Sequence, residues 1–131
     1  MIKVLFETHH LYYLPNFLPI VDELQDRCEY DIYFSMPQLI NKTERGRFNL
    51  ACKDLGLKII DADDEELRIK KILNANFNVI LVANVGQINR IALGNVLTVM
   101  VYHGIGLKQS YYNDIDDRID IRSVESKSRY E

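Results

Sequence analysis

The sequence predicts an α/β fold, a parallel sheet covered by helices on both faces. Three observations predict it. Short apolar runs rich in β-branched residues recur along the chain. Segments with helical spacing separate them, the alternation that marks βα units. Two runs, Val79 to Ala83 and Leu97 to Tyr102, are nearly continuous in Val, Ile, Leu and Met, as central strands buried on both sides should be.

Taken in order, Ile2 to Phe6 is the first strand. Phe17, Val21, Leu24 and Cys28 then fall at helical spacing, and Pro15 and Pro19 are expected in that helix's first turn, where a missing N–H costs little. Tyr30 to Ser35 is the second strand. Thr43 to Leu55 reads as a helix with Thr43 as N-cap, Phe48, Cys52 and Leu55 on its buried face, and Gly56 as its stop. Leu57 to Ile60 is the third strand. Asp63 to Leu73 opens with acids and ends near Lys70 and Lys71, which suits the helix dipole, and Leu67, Ile69, Ile72 and Leu73 supply its apolar side. After the strand Val79 to Ala83, a short helix over Gly86 to Leu93 stops at Gly94. The runs Leu97 to Tyr102 and Ile119 to Val124 complete the sheet, and VESKSRYE reads as the first turn of another helix. Residues 1–131 are thus expected to form a single Rossmann-like domain, cut from a longer protein.

Composition narrows the function. A formal net charge of -3 argues against a general nucleic-acid binder, which carries a basic excess. Cys28 and Cys52 have neither metal-motif spacing nor the density of a secreted scaffold, so they read as buried or half-buried free thiols in a reducing cytosol. The apolar run in MIKVLFETHH is too short for a signal peptide or a membrane span. A cytoplasmic protein is expected.

In a parallel sheet every strand's carboxyl end reaches one edge, where ligands bind in open α/β folds. Glu7, Thr8, His9 and His10 follow the first strand, Ser35 the second, Asp61 the third, Asn84 the fourth, His103 the fifth, and Glu125 and Ser126 the sixth. All three histidines fall on that edge. His9 and His10 are adjacent, so on extended backbone only one of them can face a site. His103 ends the most apolar strand, and Gly104 and Gly106 let backbone N–H groups approach an anion while Lys108 adds positive charge. A neutral histidine can take a proton from an attacking hydroxyl. The spacing fits neither a Walker loop nor a GxGxxG fingerprint, so a purely structural turn stays open beside the phosphate-facing loop. Tyr12-Tyr13 and Tyr111-Tyr112 read as packing over helix starts. The stretch NDIDDR, with Asp114, Asp116 and Asp117, reads as a solvated turn, and no metal or cofactor is expected.

The segment HGIGLKQSYYNDIDDRIDIRSVES resembles the CDP-glycerol glycerophosphotransferase family, the polymerases and primases of bacterial teichoic acid synthesis. His103, Gly104, Leu107 and Lys108 match its His-Gly, two variable residues, Leu-Lys pattern. Ile105-Gly106 stands where the family often has Thr-Pro, so a threonine contact is absent. The opening KVLFETHHLYYLPNFLPIVDEL looks like the first βαβ unit of a GT-B half, the fold that family uses. The resemblance implies the N-terminal half of a two-domain enzyme that transfers polyol phosphate from a CDP-activated donor to a polyol-phosphate or glycan acceptor. It implies His103 as catalytic base, Gly104, Gly106 and Lys108 on phosphate oxygens, and His9 or His10 lining the acceptor side. The missing C-terminal half would complete the cleft, the fragment alone would be inactive, and the full-length protein would work in the cytoplasm or peripherally at the inner membrane face. The alternatives are a GT-B nucleotide-sugar glycosyltransferase or epimerase-like domain, and a non-catalytic α/β binding module.

Overall fold

Short β-branched runs bury best when paired on both sides, and here six of them join one all-parallel sheet in the order β3-β2-β1-β4-β5-β6. The computed structural model describes residues 1–27, 29–38, 40–84, 86, 88–101 and 120–123. The elements are β1 (Ile2–Glu7), α1 (Leu14–Gln25), β2 (Tyr30–Ser35), α2 (Lys42–Asp54), β3 (Lys58–Ile60), α3 (Glu65–Ala75), β4 (Val79–Val82), α4 (Ile88–Ile91), β5 (Leu97–Val101) and β6 (Ile121–Ser123). A 3-10 turn, Leu11–Tyr13, leads into α1. This is the strand order of the doubly wound Rossmann fold, so the predicted α/β class holds. The stretches that carry His103 to Lys108 and VESKSRYE lie outside the described residues.

The period-two alternation of strand side chains sorts the core into two layers. Val4 and Phe6 of β1, Ile32 and Phe34 of β2 and Leu81 of β4 pack with Phe17 and Val21 of α1 and Phe48 and Cys52 of α2. Leu5, Ile80, Val82 and Met100 point the other way and pack with Ile69 and Ile72 of α3 and Ile88 and Ile91 of α4. The chain therefore builds outward from β1 with helices on one face, crosses through α3 to β4, and continues with its helix on the other. Burial also pushes the Cys52 thiol up to about 12, which keeps it an inert core group.

Several local expectations are corrected. Pro15 sits at the start of α1, but Pro19 lies inside the helix rather than in its first turn, because the helix begins at Leu14. Its ring removes one backbone bond, a cost of roughly 3 kcal/mol, and the buried Phe17 and Val21 hold the helix through it. The N-cap of α2 is Asn41, not Thr43: Asn41 Oδ1 accepts from the Glu44 backbone N–H at 2.8 Å. Leu55 and Leu67, expected in the core, are 52% and 41% exposed. Arg68 takes the buried place that Leu67 was expected to fill. Asp64 caps α3, accepting from Leu67 N, and Asn76 ends it in the left-handed region at φ 56°. Gly56, at φ +71°, ends α2 as predicted. The helix after β4 is only Ile88–Ile91.

The capping assignment is directly testable. Asn41→Ala should cost about 1 kcal/mol of stability in urea unfolding, the usual value of a lost N-cap, whereas Thr43→Ala should stay within about 0.5 kcal/mol. The reverse ranking would contradict it.

Candidate functional site

The carboxyl ends of β1 and β2 bring a carboxylate and a hydroxyl together inside the protein. Glu7 and Ser35 are register partners across the two strands, and Ser35 Oγ donates to Glu7 Oε1 at 2.5 Å. Both are fully buried. Glu7 points to the α3 face because it alternates with Phe6, and α3 must cross the sheet to reach β4. That crossing sets Arg68 over Glu7. Its Nη1 and Nη2 donate to Glu7 Oε1 and Oε2 at 2.7 and 3.1 Å, while Nε and Nη2 donate to Glu65 Oε1 and Oε2 at 2.8 and 2.6 Å. Burial works against the Arg68 cation, but Glu65 and Glu7 together outweigh it and hold the guanidinium firmly charged.

From Glu65 the network spreads along the edge. Glu65 Oε1 also accepts from Gln38 N at 2.7 Å, and Gln38 Nε2 donates to Asp61 Oδ1 and to the Ala62 carbonyl at 3.0 and 2.5 Å. Asp61 Oδ2 accepts from Asn49 Nδ2 at 3.1 Å. The loops after β2 and β3 are thereby fixed to each other and, through Glu65 and Arg68, to the end of β1. Arg68, Glu65 and Gln38 were not among the residues expected here. The available signal was Glu7 itself, a carboxylate directly continuing an apolar strand, which needs a buried cation if the strand is central.

The order in which strands are added to the sheet reverses between β1 and β4, the kind of switch point at which open α/β folds take ligands. His9 lies at this point, between the end of β1 and Gly86 after β4. It is buried to 8% exposure, and neither ring nitrogen has a hydrogen-bond partner among the described residues. Its Nε2 lies over Gly86, where a Cβ would come within 1.8 Å, so position 86 admits only glycine while His9 stays in place. Gly86 is also at φ +48°, and its N–H donates to Asn84 Oδ1 at 2.9 Å, so Asn84 shapes the turn. Burial is the largest influence on His9 and lowers its pKa; Glu7 and Glu65 oppose this, while Arg68 and His10 add to it. The imidazole is therefore neutral, with one donor and one acceptor nitrogen.

Of the sequence-expected residues, the structure separates the histidine pair. His10 turns away, half-exposed, to place Nδ1 3.2 Å from Glu44 Oε2 and its ring against Tyr12. Glu44 also accepts from Leu11 N at 2.7 Å, which pins α2 to the loop after β1. Tyr13 is buried at the start of α1, in keeping with the packing role read from the sequence, while Tyr12 is exposed. Ser35 and Asp61 serve the network described above. His103, Gly104, Gly106 and Lys108 lie outside the described residues. Two cavities open at this edge, about 640 Å³ beside Gln38 and Asp61 and about 560 Å³ beside Leu11 and Tyr12. A third, of about 360 Å³, lies at the opposite edge near Phe77 and Val96, which precede β4 and β5. Among the described residues, no group of three or more His, Cys, Asp or Glu side chains is arranged to hold a metal ion, and no helix is long and apolar enough to cross a membrane.

A histidine held neutral in the folded state links stability to pH. The unfolded chain binds the proton more readily, so His9 takes away stability as pH falls below about 6.5 and none above it. Unfolding free energies of the wild type should therefore decline below that pH more steeply than those of His9→Asn. Parallel curves would show that His9 is not held neutral.

No protein-family model, curated protein or solved structure matches the chain.

Proposed function

We propose that the chain forms one wall of a transferase cleft that moves polyol phosphate from a CDP-activated donor to an acceptor hydroxyl. The observation that carries this reading is the position of β5. It pairs in parallel with β4 and ends at Val101, so its carboxyl end belongs to the edge that buries His9. In the sequence His103 follows two residues later, opening HGIGLK. A base and a glycine-rich, lysine-bearing segment that follow this strand in the sequence suit attack on a phosphorus atom. The acceptor oxygen would form the new P–O bond as His103 takes its proton. The bond from that phosphorus to the bridging oxygen would break, and CMP would leave with the electron pair. Gly104, Gly106 and Lys108 would hold phosphate oxygens, and His9 would line the acceptor side. A second α/β half would close the cleft and exclude water.

Two substitutions in the complete protein distinguish the roles. His103→Ala should lower kcat by about 10²- to 10⁴-fold with donor affinity nearly unchanged, as loss of a general base does. Lys108→Ala should act at least partly on KM, with an effect that shrinks at high salt. Both are measured per folded molecule, with thermal melts alongside. Near-wild-type kcat for the His103 variant, or turnover of UDP-sugars in place of CDP-polyols, would overturn the reading.

A further inference from the structure

We propose that the 640 Å³ cavity between α2 and the loop after β3 is a separate binding site for a phosphorylated polyol. Its walls carry Gln38, Lys42, Arg45, Asp61, Asp63 and Lys71, and its size lies within the range of small-molecule pockets. The chain as a whole is acidic, with a net charge of -3, yet three cationic residues line this open cavity, Lys42 and Lys71 exposed and Arg45 half-buried.

The local chemistry explains why they are free to take a ligand. Asn41 and Glu44 fix the first turn of α2, Asn41 by capping it and Glu44 by binding the loop after β1. Lys42 and Arg45 share this turn but are spent on neither contact, and neither has a charged or hydrogen-bonded partner among the described residues. Lys71 reaches across from α3, its Nζ donating to the Asp61 carbonyl at 2.9 Å, which leaves two further ammonium donors. The nearest carboxylate does not neutralise them by contact: Asp61 Oδ1 accepts from Gln38 Nε2 and from Ala62 N, and Oδ2 accepts from Asn49 Nδ2. A guanidinium and two ammonium groups around an open volume match a phosphate, since Arg offers a planar fork and Lys a mobile charge. Asp63 differs from Asp61 in having no partner for its carboxylate among the described residues. It repels a bare anion and accepts from a hydroxyl, so it favours a phosphate that carries an adjacent alcohol. The phosphate half of this assignment rests on the cavity alone, while the polyol half rests on the function proposed above.

Calorimetric titration of the chain with glycerol 3-phosphate, inorganic phosphate and glycerol tests both halves without any turnover. Glycerol 3-phosphate should bind saturably and more tightly than inorganic phosphate, and glycerol should not bind. Lys42→Ala/Arg45→Ala should weaken both phosphate ligands by about 10-fold or more, in a salt-dependent way, while Lys70→Ala, exposed on α3 outside the cavity, should leave them unchanged. Asp63→Asn should remove the preference for glycerol 3-phosphate. No saturable binding, or wild-type affinity in the double variant, would overturn the site. Equal affinity of the wild type for the two phosphates would overturn the polyol half and leave the anion site standing, whatever the outcome for His103.

Discussion

Arg68 is fully buried, and its guanidinium is held between two carboxylates from different parts of the chain. Removing such a group from water costs several kcal/mol, which only well-placed opposite charges and hydrogen bonds offset. Glu65 supplies one pair of bonds from the same helix, and Glu7 supplies the other from the end of β1, with Ser35 satisfying Glu7 further. Because neither carboxylate alone meets every guanidinium donor, the arrangement exists only when β1, β2 and α3 are all in place. An ion pair of this kind adds little net stability compared with a packed apolar core. It does tie α3 to the end of β1, through both oxygens of Glu7.

The carboxyl edge of the sheet depends on that tie. Glu65 passes the constraint to Gln38, and Gln38 passes it to Asp61, so the loops after β2 and β3 take their positions from the Arg68 cluster. His9 lies two residues beyond Glu7 on the same strand end, and its burial against Gly86 follows from where β1 stops. One network therefore borders both the switch point between β1 and β4 and the cationic cavity over β3.

The strands were legible because their apolar runs are short, β-branched and separated by helical spacing, a pattern with few alternative folds. Both faces of β1 are written in Val4, Leu5 and Phe6. Helix detail was less legible where two residues have the same capacity. Asn41 and Thr43 can each cap α2, and the choice falls to Asn41 because Glu44 must then face Leu11 and His10. Arg68 was hidden for a similar reason: in EELRIKKIL an arginine reads as solvent-facing unless its buried carboxylate, 61 positions away, is known. For the site, the sequence showed that only one of His9 and His10 faces inward. Selecting His9 required the approach of Gly86, a tertiary contact that local pattern does not encode.

The account turns on the coupling between Glu7 and Arg68, and a double-mutant cycle in urea unfolding measures it most directly. Arg68→Met should cost roughly 3–5 kcal/mol, because it leaves buried carboxylates without their cation. Combined with Glu7→Gln, the loss should fall short of the sum of the two single losses by roughly 0.5–3 kcal/mol, the range for groups in one network. Additive losses would mean that the two side chains stabilise the fold independently, and the edge would then need a different organising contact.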